Sequence, residues 1–218
     1  MKISIQPNTM LRTLIVLLFL FLSTQTFAQR RGGHFEIGPM FNLEYSTIYV
    51  NTGELVITNT GEVKEEWKDS GYDTNFSGGV YGMYYFESRI ALGAELYYDK
   101  IMSTDFESEN YYTSITFLPF INLNFIESVE NLYFGAGGGV SFIQEIPEYG
   151  PEVDPEDIRE ITIPLKLSAS YRFKNRITFE TGVHGEILGV VKDLARRNSF
   201  FVGVKIPINR ILTDARYL

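Results

Sequence analysis

The chain has no cysteine, a single tryptophan and two histidines. Without cysteine it can form no disulfide, no thiolate metal site and no lipid anchor on an N-terminal cysteine. Histidine chemistry is confined to His34 and His184. There are 19 basic side chains against 27 acidic ones, and this acidic balance argues against nucleic acid as a partner.

One continuous apolar run lies near the N-terminus. It follows Lys2 and Arg12, covers residues 14–22 and precedes the small residue Ala28. This order is typical of a secretory signal peptide, here residues 1–28. The alternative is a transmembrane helix, but such a helix needs roughly 20 apolar residues and the run is well short of that. We therefore expect an exported protein whose mature part starts at residue 29.

Residues 160–187 show the organisation of the rest of the chain. Every second residue from 161 to 173 is apolar: Ile161, Ile163, Leu165, Leu167, Ala169, Tyr171 and Phe173. The residues between them are polar, small or proline, and the alternation resumes at Ile177 after a short link at 174–176. A period of two indicates extended strands, and the short link indicates a hairpin. Arms of this length match tilted strands that cross a bilayer.

Eight such alternating runs can be counted, and no window has helical periodicity of comparable length. The runs are residues 33–45, 74–86, 89–100, 112–125, 132–143, 161–173, 177–187 and 199–208. The connections after the second, fourth and sixth runs are short, whereas those after the odd-numbered runs are mostly longer and polar. This asymmetry is typical of an up-and-down barrel in an outer membrane.

The sequence thus predicts an all-β protein that forms an eight-stranded antiparallel up-and-down transmembrane β-barrel. The barrel domain is expected at residues 29–208, with a C-terminal tail at 209–218. Eight strands leave an interior that side chains fill, so a general porin is not expected. Four prolines (Pro39, Pro119, Pro164 and Pro207) fall inside the proposed strands and remove ladder donors, and we expect bulges or local water to compensate.

Several segments resemble the PorT-like outer-membrane β-barrel family of diderm bacteria. The run Ile163-Pro164-Leu165 leads to Tyr171-Arg172-Phe173, and residues 117–120 and 124–125 form a related run. Residues 90–100 resemble the second hairpin arm of that family, and residues 134–140 resemble its glycine-rich strand. The resemblance covers nearly the whole mature chain and implies the barrel fold, with no catalytic motif to transfer. The chain continues past the last strand, where many such barrels end on an aromatic residue.

If the apolar faces meet lipid, the opposite faces form a charged interior. It would hold Glu36, Glu44, Glu95, Asp99, Lys166, Arg172, Glu180, His184, Glu186 and Lys205. Charges in a low-dielectric interior must pair, so we expect a structural network in which Lys166 and Arg172 neutralise Glu180 and Glu186. A path for protons or small solutes, or a Glu–His catalytic pair, is the alternative.

The long connections offer three candidate surfaces. The acidic loop 145–160 has the oxygen ligands of a divalent-cation site but matches no EF-hand template, and a solvated loop is the alternative. Lys192, Arg196 and Arg197 could contact lipid phosphates at the outer rim. Residues 54–68 resemble a projecting hairpin whose strand edge could recruit a partner by β-augmentation.

The function expected from these features is that of a non-enzymatic integral protein of the cell outer membrane, structural or partner-binding through its external loops. No cofactor and no metal site are expected. The partners would be outer-membrane lipid and an envelope or extracellular protein. Two alternatives stay open: a component of a secretion or envelope-assembly machine, as the PorT-like resemblance implies, and a soluble periplasmic barrel that binds an apolar ligand, with its apolar faces turned inward.

Overall fold

The structure is a computed structural model. It describes residues 34–57, 63–69, 71–86, 89–103, 110–126, 128–129, 131–145, 159–173, 177–189 and 195–210. The expected signal peptide and most of the acidic loop 145–160 lie outside these residues.

The described residues form ten strands, all paired antiparallel. They are β1 (His34–Ile57), β2 (Val63–Asp69), β3 (Asp73–Phe86), β4 (Ile90–Ser103), β5 (Asn110–Leu123), β6 (Leu132–Gly138), β7 (Val140–Glu145), β8 (Ile161–Phe173), β9 (Ile177–Leu188) and β10 (Ala195–Lys205). β6 and β7 lie end to end between β5 and β8, and β2 pairs with the far end of β1. The remaining path closes through β1 and β10, which confirms the predicted eight-stranded antiparallel barrel.

The seam between β1 and β10 closes the barrel. Its ladder runs from Val50 paired with Ala195 to Met40 paired with Lys205. We call the end of the barrel that holds the start of β1 and the ends of β3, β5 and β8 the turn end, and the opposite end the loop end. Closure matters because a strand edge in lipid has no water to pair with its backbone groups.

The side chains alternate between a polar interior and an apolar exterior. On β8, Lys166 and Arg172 are buried, whereas Leu167 is 60% exposed and Tyr171 is 44% exposed. The same alternation places Glu36 and Glu44 inside on β1, whereas Phe41 and Leu43 of that strand are exposed on the outside. The soluble-barrel alternative required the apolar faces to point inward, and this orientation contradicts it. Among the described residues, no helix is both long and apolar enough to cross a membrane.

Strand β1 is longer than the predicted run 33–45. It has 24 residues in all and ends at Ile57, so it includes part of the predicted long loop. The chain then turns back and pairs with it as β2. Asn51 pairs with Trp67 and Ile57 pairs with Val63, with a register shift between Asn51 and Leu55. The hairpin predicted at residues 54–68 therefore exists, and it is a direct continuation of a barrel strand.

Two of the four prolines lie where the seam ladder ends. Pro39 sits next to Met40, the last residue of β1 that pairs with β10, and its carbonyl accepts a hydrogen bond from the Ile206 amide at 3.1 Å. Pro207 was predicted inside the last strand, but β10 ends at Lys205. A short helical turn follows at residues 208–210. Neither proline therefore interrupts a ladder.

The other two prolines lie beside the break between β6 and β7. Gly139, the residue at the break, donates its amide to the Pro164 carbonyl at 3.0 Å, but Pro164 has no N–H to return the bond. On the other side, Pro119 lies between Phe117, which pairs with Val140, and Phe120, which pairs with Gly137. The predicted fifth strand is thus divided because both neighbours lack a donor there. A register shift between Ile163 and Pro164 marks the same place.

Candidate functional site

Four charged side chains form a square across the middle of the lumen. Lys166 of β8 and Lys205 of β10 each contact both Glu95 of β4 and Glu180 of β9, with N–O distances between 2.6 and 2.9 Å. All four residues are at most 2% exposed. Because β4 lies on the opposite side of the barrel from β9, these contacts span the lumen. The square is neutral, which a low-dielectric interior requires.

Aromatic rings surround the two ammonium groups of this square. The Lys205 Nζ atom lies 4.6 Å from the ring centre of Phe120 and 5.7 Å from that of Tyr81. The Lys166 Nζ atom lies 5.3 Å from Phe120 and 5.1 Å from Phe201. These distances are within the range of cation–π attraction. Charges and rings together fill the middle of the barrel.

A second cross-lumen contact lies at the turn end. The Arg172 guanidinium of β8 bonds to the Glu36 carboxylate of β1 and lies 4.5 Å from the ring centre of Tyr85. Arg210, beyond the last strand, also reaches Glu36, with its Nε atom 3.2 Å from Oε1. His34 stacks on Tyr85 at 4.4 Å. This end of the lumen is therefore occupied as well.

The third contact lies at the loop end and is centred on Arg197. Its guanidinium donates to Asp99 Oδ2 of β4 at 2.7 Å and to Glu44 Oε2 of β1. Glu44 also accepts hydrogen bonds from the Ser77 hydroxyl at 2.7 Å and the Ser199 hydroxyl at 3.1 Å. A guanidinium that bonds two carboxylates on different strands ties those strands together.

The ten residues expected in the lumen all lie on inward-facing strand positions. They are Glu36, Glu44, Glu95, Asp99, Lys166, Arg172, Glu180, His184, Glu186 and Lys205. The expected pairing of Lys166 with Glu180 is present. Arg172 does not meet Glu186, because Arg172 lies at the turn end on Glu36 and Glu186 lies at the loop end. There the Glu186 carboxylate accepts hydrogen bonds from the Thr162 hydroxyl and the Arg197 amide.

The three basic residues expected at the lipid phosphates have separate positions. Arg196 is exposed on the outside of β10. The expectation for Arg197 is wrong, because its side chain is only 6% exposed and lies in the lumen on Glu44 and Asp99. Lys192 lies outside the described residues.

Both histidines are in confined places. His184 is 4% exposed and stacks between Phe201, at 4.4 Å, and Tyr97, at 6.2 Å. Its Nδ1 atom is 3.5 Å from Glu44 Oε2. Ser199 is the residue directly opposite His184 on β10, but its hydroxyl donates to Glu44. No group of three or more potential metal ligands occurs among the described residues.

Sequence reasoning missed two kinds of interior residue. One is Arg197, which has the same strand parity as Lys205, eight positions later, so continuing the alternation back along the last strand would have placed it inside. The other is the aromatic lining, of which Phe201 is an example. An apolar residue on a polar face gives no signal of its own, although Phe201 also shares this parity.

The outer hairpin is the other candidate site. The β1–β10 ladder ends at Val50, so residues 51–57 of β1 continue beyond the barrel wall for about 20 Å at about 3.3 Å per residue. Leu55 is 70% exposed and Val63 is 60% exposed. Leu55 is two residues before Ile57, whose backbone pairs with Val63, so Leu55 and Val63 lie on the same face of the hairpin. The hairpin therefore presents an apolar surface outside the barrel.

Comparison with known proteins identifies the fold. No protein-family model and no curated protein matches the sequence. The structure is similar to the crystal structure of Neisserial surface protein A (NspA), with a TM-score of 0.52 and 12% identity over 81% of this chain and 99% of that chain. Ail, the attachment invasion locus protein of Yersinia pestis, is matched with a TM-score of 0.43 and 10% identity over 79% and 98% of the two chains. OprG from Pseudomonas aeruginosa is matched with a TM-score of 0.37 and 9% identity, over 79% of this chain and 97% of that chain. The fold is that of the eight-stranded outer-membrane β-barrels.

Proposed function

We propose that this protein is a non-enzymatic barrel of the outer membrane that conducts no solute and binds a partner through the external hairpin β1–β2. The observation that carries the proposal is the continuation of β1 beyond the barrel wall as half of a hairpin with exposed apolar residues. Three further features support it: the outer surface, the filled lumen and the positions of the histidines.

The outer surface supports residence in a membrane. Phe76 and Phe86 are both exposed on β3 and are ten residue steps apart. At about 3.3 Å per residue and a strand tilt of about 40°, they lie about 25 Å apart along the barrel axis. That is the height of the apolar band on barrels of the outer membrane. Lipid would then be the first partner of this surface, and Arg196 at the loop end would be near the lipid phosphates.

The lumen supports a structural role for its charged residues. Contacts cross it at the turn end, in the middle and at the loop end, through Arg172, Lys205 and Arg197 respectively. A conducting barrel needs a continuous aqueous path, which paired charges and packed rings at three levels would block. The neutral square is consistent with a network that holds strands together rather than one that moves protons.

The histidines support the absence of catalysis. Hydrolases on a barrel of this kind need a histidine base beside a nucleophile at a site that substrate can reach. His184 is enclosed between two rings, and the nearby Ser199 hydroxyl donates to Glu44. His34 is at the turn end, stacked on Tyr85.

The hairpin is suited to bind another protein. Residues 51–57 continue a strand that pairs with β3 and β10 and are themselves paired with β2, so little ordering is needed on binding. The partner would be an envelope or extracellular protein. A PorT-like role in a secretion or envelope-assembly machine is the second candidate, as the resemblance of Ile163-Pro164-Leu165 implies. The short turns of such barrels face the periplasm, so a periplasmic partner of the machine would bind at the turn end.

Site-specific photocrosslinking in intact envelopes tests the proposal. A photoreactive phenylalanine analogue at Leu55 or Val63 should give a discrete crosslinked product of the same size from both positions. The matched control is Phe76, which is 72% exposed in the lipid-facing band and should give none. The same analogue at Phe125, exposed at the turn end, tests the machine component, which predicts the product there instead.

Deletion of residues 54–68 provides the second measurement. The shortened protein should lose partner capture and keep the migration shift on heating in detergent gels that folded barrels show. Capture that survives the deletion, with the barrel folded, would refute the hairpin as the binding element.

A further inference from the structure

Strand β10 ends before β1 does at the turn end of the seam. The ladder between them stops at Met40 and Lys205, whereas β1 begins at His34. On the edge of β1 away from the seam, residues 34–39 pair regularly with β3, from His34 with Tyr85 to Pro39 with Val80. The backbone N–H and C=O groups on the seam side of residues 34–39 need hydrogen-bond partners other than a strand, because buried backbone groups are costly when unpaired.

The residues that follow β10 provide these partners. The Ile206 amide donates to the Pro39 carbonyl at 3.1 Å. The Asn209 side chain then does what a strand residue would do: its Nδ2 donates to the Phe35 carbonyl at 2.8 Å, and its Oδ1 accepts from the Ile37 amide at 3.1 Å. A primary amide carries both a donor and an acceptor, so it can replace a peptide group opposite β1.

Two further contacts hold this segment in place. A Cβ atom on Gly38 would lie 1.7 Å from the Ile206 carbonyl oxygen, so only glycine allows the chain to pass this close to β1. From the lumen side, the Arg210 Nε atom is 3.2 Å from Glu36 Oε1, and Glu36 is fully buried. The segment is therefore fixed to the backbone of β1 and to the charged interior.

We propose that Ile206, Asn209 and Arg210 form a seam latch, which closes the turn end of the barrel through side chains where the backbone ladder has ended. The latch can release without loss of any pair between strands, because none of its contacts belongs to a ladder. The turn end of the β1–β10 seam is therefore the first part of the wall to open when Asn209 is removed. This inference is independent of the hairpin and of its partner.

Hydrogen exchange of the full-length protein in detergent tests the latch. In Asn209→Ala, the Ile37 amide loses its acceptor and should exchange at least tenfold faster, with faster exchange along residues 34–39. The β5 segment 113–123, on the far side of the barrel from the seam, should exchange as in the wild type. The matched control is Asn198→Ala, an exposed asparagine on the outside of β10, which should leave Ile37 protected.

A second variant approaches the latch from the other strand. Gly38→Ala displaces the Ile206 carbonyl without touching Asn209, and it should raise exchange over the same residues 34–39. If Asn209→Ala does not fold, Gly38→Ala and Arg210→Ala carry the test with the same expected pattern. Unchanged Ile37 exchange in a folded latch variant, or an increase spread evenly over the barrel, would overturn the proposal.

Discussion

Each lysine of the lumen square contacts both of its glutamates, so each neutralises part of two charges. Lys205 is 1% exposed, and Glu95 and Glu180 are 0% and 2% exposed. Such a pairing recovers the cost of taking the ions out of water only while all partners are present. Loss of one charged residue of the square should therefore destabilise the barrel more than the joint loss of one lysine and one glutamate.

Lys205→Met tests this balance. The variant leaves two buried carboxylates with one ammonium group, and we expect the free energy of unfolding to fall by about 3–5 kcal/mol. Denaturant titration in detergent measures it. Lys100→Met, at an exposed position on β4, is the control and should change stability by less than about 1 kcal/mol.

The double variant Lys205→Met, Glu180→Gln separates charge from packing. It restores one lysine to one glutamate, so it should be more stable than Lys205→Met alone. A double variant that is less stable than the single one would show that packing, not charge balance, governs this site.

At the residue scale, the sequence was informative about which face is polar and less so about partners. Alternation puts Glu95, Lys166 and Lys205 on the polar faces of their strands, and these faces form the interior if the apolar faces meet lipid. It could not pair Arg172 with Glu36, because contacts across the lumen depend on the relative stagger of distant strands. The alternation along β10 puts Arg197 on the same face as Lys205, which is the inward face. Its place near a loop, however, favours the prediction of a lipid contact.

At the scale of strands, proline positions explain where ladders stop. Pro39 lies at the end of the seam ladder, and Pro119 and Pro164 lie on either side of Gly139, where β6 and β7 meet. The sequence predicted that prolines would need compensation, but it could not show that two of them share one break. The break requires β5 and β8 to be neighbours of the same strand, which is a property of the closed sheet.

Substitutions that remove or introduce a proline on β8 test this explanation. Pro164→Ala returns an N–H opposite Gly139 and should change stability by no more than about 1 kcal/mol in either direction. Leu167→Pro removes a donor three residues further along an intact ladder, and it should destabilise by about 3 kcal/mol or more. Both are measured by the midpoint of the heat-induced migration shift. Equal effects of the two changes would contradict the account.

The extension of β1 is the element that sequence reasoning placed least well. The sequence predicts a hairpin at residues 54–68, but it also predicts a loop from about residue 47, where the strand in fact continues. Ser46 and Thr47 are both buried, so the alternation is lost where the β1–β3 ladder ends. A strand with two consecutive buried residues breaks the period of two, so the sequence pattern cannot predict that the strand continues beyond them.

At the scale of the whole molecule, the central claim is that a polar lumen is enclosed by an apolar, lipid-facing wall. The eight runs, the loop asymmetry and the alternation were enough to predict the closed barrel. They were not enough to choose between an apolar exterior and an apolar interior, since both have the same period. The structure decides this through neighbouring residues such as Phe200, which is 52% exposed, and Phe201, which is fully buried.

Quenching by brominated lipids measures this orientation directly. Trp67 is the single tryptophan of the chain, so Trp67→Phe provides a background without tryptophan fluorescence. In that background, Phe200→Trp and Phe201→Trp place one indole on adjacent residues of the same strand, with folding checked by the migration shift on heating. Brominated acyl chains should strongly quench the indole at position 200 and leave the one at position 201 bright. Stronger quenching at 201 than at 200, or equal quenching at both, would contradict the account.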